Sequence, residues 1–446
     1  MIFDVVGTAY EAGAKSALVE YRYVDSDYRS EHSHFYSTTF RRYPSVAHRI
    51  HFFSEPPPED LADAKYFAEL SHLKESYLGY SVLRPVPGAR VGRTMLSPPD
   101  RVSGDIACVA RDHVNVFGIP MSVLASPFMA QDAQLGVCAH MALWVSAYYH
   151  HLAFGSQRLT VADVSQVIPQ ELGIGRAIPS RGLNIEQISA ACQRMGIPAV
   201  VYRCRRAEDL PAGESIPRIA CRYLNSGMPV IVGAGGRHTF VLVGYTRVDA
   251  MTTDERILFY AQDDERGAYR VVDDFAHDVH GSWDWLIVPL PEKVFLLGEV
   301  AESLGKERLI DTAKDQGTPE LFEERVSFRS TALRSNQFKE FLEARDFKPE
   351  IFARYRRMQL PRWVWVVEAI RRQERADRAP AVMAEAVIDA TDHSRDLNVL
   401  AWRVGSALWS WRPDDETVGV ADVGQQGLVR SVSQYVGNEP LPQPAN

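Results

Sequence analysis

The sequence is poor in every feature that would set it apart from an ordinary globular protein. No apolar run among the 446 residues approaches the roughly 20 residues that a membrane helix needs. The N-terminus, MIFDVVGTAYEAG, carries acidic residues and lacks the basic and apolar regions of a secretory signal. Cysteine is scarce. The five, at 108, 138, 192, 204 and 221, form no CxxC pair, and an odd count does not suggest a closed disulfide framework. Free thiols in a reducing, cytoplasmic setting are expected. A basic excess is also missing: the net charge of -8 argues against a dedicated nucleic-acid binder. The clusters RCRRA (203–207) and RYRRM (354–358) read as solvated faces. No GxxxxGK[ST], GxGxxG or HExxH occurs, so nucleotide-binding and zinc-protease readings lack support. His277 and His280 lie among acids in DDFAHDVHGSWDW (273–285), a spacing that fits no zinc motif. Neither a cofactor nor a metal is expected.

The composition that is present, 46% hydrophobic and 24% charged, fits a globular chain too long for one core. The fold class expected is α+β. Residues 1–118 mix aromatic-rich strands (16–24, 49–55, 78–86) with a helical stretch near 59–73, and read as an α/β region. Two short strands are expected within 105–130. Residues 119–294 have the clearest syntax. A helix from 138 to about 153 is apolar almost all round, which marks a helix buried inside a domain. A second, at 184–196, opens on Asn184 and Gln187 in capping-box spacing and stops at Gly196. Strands follow at 197–203, 228–233, 238–246 and 256–262. Residues 295–436 form a second flanking α/β region, with helices near 297–305, 335–345 and 348–358 and an apolar strand at 362–370. The proline-rich tail, 437–446, reads as disordered.

A catalytic thiol must be a thiolate near neutral pH, and a helix N-terminus together with an imidazolium favours that form. Cys138 opens the buried helix after the polar run QDAQLG (131–136). The other four cysteines lie on an apolar helix stripe, in strand-like runs or away from any helix start, and read as small core hydrophobes. His238 heads a strand directly after the turn GAGG (233–236), so it can reach out from a strand mouth. His140, two residues beyond Cys138, points to another face of the helix and makes a poor base. A base needs an orienting acid. A hairpin of 238–246 with 256–262, centred on residue 251, puts Asp264 opposite His238, and a one-residue slip brings Asp263 there instead.

Cys138, His238 and an acid on the next strand together resemble the papain-like superfamily, closest to its bacterial C39-like peptidase branch. The strand end FYAQDDERG is similar to that branch's Asp-Pro-x-x-Gly pattern, which favours Asp263 and leaves Asp264 where proline is usual. RGLNIEQISAACQRMGIPAVVY (181–202) looks like its mid-domain helix and strand. The likeness covers about 175 residues in the middle of the chain. It implies a papain-like core, a buried N-terminal helix packed on an antiparallel sheet. It also implies hydrolysis of a peptide or amide bond in a peptide or protein substrate. A deamidase or acyltransferase would use the same acyl-enzyme, and an inactive binding module on the same scaffold is the rival from another class. The family's oxyanion glutamine stands six residues before the cysteine. That position is Asp132 here, so the role falls to Gln131 or, further along, to Gln134, with Gln131 favoured.

Overall fold

The computed structural model describes residues 1–56, 73–100, 102, 105–132, 137–169, 182–248, 256–272, 282–322, 326–343, 347, 349–371, 381–393, 398–405, 407–412, 415–419 and 429–430. The helix expected near 59–73 (all but its last residue), Gln134, the histidines at 277 and 280 and the tail 437–446 lie outside these residues. The fold is α+β, with three antiparallel sheets among the described residues. The chain divides into two compact units, Met1–Pro217 with Gly227–Pro291, and Arg218–Ser226 with Glu292–Asn446.

The first unit holds two of the sheets. One has the order β1-β2-β3-β4-β6-β5, from strands β1 (Ser16–Tyr23), β2 (Ala47–Phe53), β3 (Tyr77–Leu83), β4 (Val91–Leu96), β5 (Ala110–Val116) and β6 (Ile119–Phe128). β5 alternates buried and exposed residues along its whole length, as period-two patterning requires of a sheet with one wet face. Its hairpin to β6 closes through Phe117 and Gly118, both at positive φ, which matches the twist of the flanking strands. The helices α1 (Ile2–Glu11) and α2 (Ser26–His34) accompany this sheet; α2 is capped by the Asp25 side chain, which accepts from the Tyr28 N–H.

The second sheet, β11-β10-β9-β8-β12-β7, is built from β7 (Ala199–Arg203), β8 (Val230–Ala234), β9 (His238–Val248), β10 (Arg256–Asp263), β11 (Gly267–Val272) and β12 (Trp283–Pro289). The helix α3 (Cys138–Phe154) packs on β9. Residues Ala139 through His150 of α3 are all buried, so its apolar circumference is satisfied on every side, and Gly155 ends it in the left-handed conformation. After α4 (Val161–Val167), α5 (Ile185–Arg194) carries the expected capping box: Asn184 accepts from the Gln187 N–H, and Gln187 from the Asn184 N–H.

The chain before α3 is held from the first sheet's side. Arg84 is fully buried and spends its fork on both oxygens of Glu31, at 3.1 and 2.9 Å, and on the Val91 and Ala130 carbonyls, at 3.0 and 2.8 Å. These four bonds offset part of the cost of burying the pair, while the Arg84 Nε has no partner among the described residues. Two residues on from Ala130, Asp132 accepts from the Tyr36 hydroxyl. Inside α3, the Trp144 indole donates to Asp27 at 3.1 Å, and Arg158 bonds the other oxygen of the same carboxylate.

The second unit is built on a seven-stranded antiparallel sheet, with β13 (Val326–Arg334), β14 (Trp363–Arg371), β15 (Ala381–Asp389), β16 (Val399–Val404), β17 (Ala407–Arg412) and β18 (Asp415–Gly419) in sequential order and β19 (Val429–Arg430) beside β15. The helix α6 (Ile216–Asn225) lends this unit its last turns: Arg222 bonds Ser330 and Glu302, and the Ala332 N–H donates to Ser226. Helix α7 (Gly298–Asp315) is twice the expected length and lies close enough that a Cβ on Gly305 would meet Val367 at 2.7 Å. Helices α8 (Ser335–Glu343) and α9 (Pro349–Arg357) bury Phe338, Phe341, Leu342 and Tyr355 against the strands. Both flanks, read from sequence as α/β, are therefore antiparallel. Their strands are joined by hairpins and short helices rather than by crossover helices, which parallel pairing would need.

Gly244 of β9 shows how tightly the site's own strand is packed. A Cβ there would meet the Asp105 carbonyl at 2.2 Å and the Ile106 Cα at 2.7 Å, both backbone atoms that cannot rotate aside. Gly244→Ala is expected to lower stability by about 2–3 kcal/mol, the cost of overpacking a core. The drop is read as an earlier midpoint in denaturant unfolding; an unchanged midpoint contradicts the packing.

Candidate active site

Cys138 is the first residue of α3 and partly exposed, at the helix end whose dipole favours a negative charge. His238 is the first residue of β9 and pairs with Ala234 across the turn Gly235-Gly236-Arg237. Both glycines are left-handed, at φ 56° and 63°, a backbone that a side chain would strain. This turn sets the imidazole at the strand mouth.

The acid reaches His238 by a route that differs from the symmetric hairpin. β9 and β10 pair antiparallel as expected, but the register runs from Arg256↔Val248 to Tyr260↔Gly244, then shifts to Ala261↔Leu242 and Gln262↔Val241. Neither Asp263 nor Asp264 stands opposite His238 in the ladder. The extra residue on β9, Val243, is a bulge, and it changes which side chains of the two strands share a face. Beyond the bulge, Asp263 falls on the face of Phe240 and therefore of His238, one diagonal step away. Without it, Asp264 would take that face. The result is a contact between His238 Nε2 and Asp263 Oδ1 at 3.2 Å.

Three hydrogen bonds converge on that one oxygen. Besides the imidazole, Asp263 Oδ1 accepts from the Glu265 and Arg266 amides, at 3.0 and 3.1 Å, so the turn into β11 fixes the carboxylate. The Cys138 side chain lies close enough to His238 to favour the charged ring. With Nε2 given to Asp263, Nδ1 is the ring nitrogen left for the sulfur. Cysteine, histidine and aspartate form one relay.

The charges follow from these contacts. Burial by itself would lower the His238 pKa, but the bonds to Asp263 and Cys138 and the charges of Asp263 and Asp264 outweigh it and raise the value to about 10. Burial opposes ionisation of Asp263 as well, yet the His238 bond and charge and the two turn amides hold its carboxyl below the ordinary range. The imidazole is thus a cation at neutral pH, facing a carboxylate. Asp264 is different: burial first, then the neighbouring charges of Asp263 and Glu265, push it up to about 7 against the attraction of His238.

The remaining candidates are placed as follows. Gln131 donates from Nε2 to Glu265 Oε1 at 2.8 Å, beside the Asp263 turn. Asp132 faces Tyr36. His140 is buried, and burial brings its pKa down to about 4, so it is uncharged at neutral pH. Burial raises the thiols of Cys108, Cys192 and Cys204, the last two to about 12, and keeps them unreactive. Sequence reasoning did not single out Tyr36, Arg84 or Glu265. They lie 102, 54 and 127 positions from Cys138, and no local pattern links them to it.

His238, Asp263 and Asp264 each offer one atom within 4.8 Å of the others, the spacing of a cation site. Within this cluster Nε2 and Asp263 Oδ1 are bonded to each other, and the oxygen also accepts from two amides. Comparison with family models, with curated proteins and with solved structures returned no match.

The pair's contribution to stability has a definite pH window. The raised His238 stabilises the fold fully below its unfolded value near 6.5 and loses that contribution as pH climbs through about 10; the lowered Asp263 contributes fully above about 3.8 and loses its contribution as pH falls further. Asp263→Asn is therefore expected to lower the melting temperature most between about pH 4 and 6.5, with the gap to wild type closing toward pH 10. A gap that stays constant across the range contradicts the ion pair.

Proposed function

We propose that the chain is a papain-like cysteine hydrolase that cleaves a peptide or amide bond through a thioester. The observation that carries this is the relay itself: a thiol at a helix start, an imidazolium bonded to it, and a carboxylate anchored by two amides behind the ring. A buried helix on an antiparallel sheet, with the nucleophile at its tip, supports the papain-like reading of the core.

In this reading the Cys138 thiolate attacks the carbonyl carbon, and the developing oxyanion is met by the Cys138 N–H. Gln131 completes the oxyanion pocket after releasing Glu265. His238 gives its proton to the leaving amine, and the thioester forms. The neutral imidazole then takes a proton from water, whose oxygen attacks the thioester and frees the acid. Asp263 holds the ring in line throughout and stabilises its charge, as the third member of a triad does. A glutamine side chain in place of a peptide bond would pass through the same acyl-enzyme with ammonia leaving, and an amine in place of water would take up the acyl group and make the reaction a transfer. A binding module without catalysis is the second reading, favoured by one observation: the Gln131 amide is bonded to Glu265.

Iodoacetamide at pH 7, followed by peptide mass spectrometry, separates the two. Cys138 is expected to react at least about tenfold faster than the other four thiols, and His238→Ala to erase the difference. On a peptide-library substrate Cys138→Ala should cost about 10³-fold or more in kcat/KM. Equal labelling of all five cysteines sinks the enzyme.

A further inference from the structure

The relay leaves one buried acid unexplained. Asp264 is only 5% exposed, and neither of its carboxyl oxygens has a hydrogen-bond partner among the described residues. A buried polar group without a partner is rare enough to need a reason. Here its surroundings supply one: Asp264 is within the same 4.8 Å cluster as the His238 ring and the Asp263 carboxylate. The charged groups acting on it are His238 from β9 and Asp263 and Glu265 from its own strand end and turn. Two of those are acids, so the attraction that offsets its charge comes from His238. In the Asp-Pro-x-x-Gly pattern that this segment resembles, the position is a proline and carries no charge at all.

We propose that Asp264 is a second positioning carboxyl for His238, acting on the ring's charge through space rather than through a hydrogen bond. Asp263 is committed to one ring nitrogen and two amides, and it sets the ring's direction. Asp264, bonded to none of these, sets how strongly the cation is held. When it is protonated the ring feels one carboxylate, and when it ionises the ring feels two. Its rise to about 7 places that change inside the physiological range. The imidazolium is held more firmly on the alkaline side of neutrality. The proposal rests on the imidazolium–thiolate reading of the site.

The test uses the full chain labelled with ¹³C at histidine Cε1, the His238 signal being assigned by its loss in His238→Gln. The wild-type His238 signal is expected to move in two steps, a small one near pH 7 as Asp264 ionises and a large one near 10. Asp264→Asn should remove the first step and bring the second down by about one pH unit, while Asp264→Glu keeps both. In melting curves the raised carboxyl is a penalty absent below about 3.8 and full above about 7, so Asp264→Asn should gain stability relative to wild type at pH 8.5 and not at pH 3.5. A single-step titration in wild type overturns the proposal, and decides it even if the asparagine variant fails to fold. So does an asparagine variant whose His238 midpoint is unmoved. Either result with Cys138 still labelled selectively leaves the hydrolase reading intact; a His238 midpoint near 6.5 with unselective labelling removes both.

Discussion

A cation buried at the mouth of a strand is the demand to which the first unit of this molecule answers. His238 is 6% exposed, and burial alone would strip its proton. Its charge survives because a carboxylate stands at 3.2 Å on one nitrogen and the Cys138 side chain and the Asp264 charge also favour the charged ring. The carboxylate in turn is a safe partner only because two backbone amides of its own turn hold it. Each group is made tolerable by the next.

That chain of dependence continues into the scaffold. The sulfur is placed by α3, a helix that no aqueous surface would stabilise and that needs β9 on one side and Asp27, through Trp144, on another. The segment before the helix is tied by Arg84 at Ala130 and by Tyr36 at Asp132. The first sheet is thus more than a flank: the arginine after β3 and the tyrosine after α2 hold the chain at Ala130 and Asp132. Rigid first contacts supported by a second layer of bonds are what precise chemistry requires.

Much of this could be read along the chain. Continuous apolar character announced α3, the capping pair announced α5, and glycines 235 and 236 marked the turn that aims His238. Such signals are local, and local backbone preferences carry them. The hairpin of β9 and β10 was equally legible, but its register was not: symmetric folding about residue 251 puts an acid opposite His238, and the ladder puts neither there. A bulge at Val243 leaves no mark in a run of β-branched and apolar residues, since any of them can occupy the extra position. The antiparallel flanks escaped for a similar reason, since short helices between strands look alike whether the strands pair directly or cross over.

Residue order alone therefore singled out Cys138, His238 and the pair Asp263 and Asp264, because helix starts, glycine turns and strand ends are written within a few neighbouring positions. Folding chose between Asp263 and Asp264, committed Gln131 to Glu265 and brought Tyr36 and Arg84 to the nucleophile's loop. Those choices depend on register and on contacts across up to about 130 residues, where one inserted residue in a strand exchanges the two faces and no nearby pattern reports it.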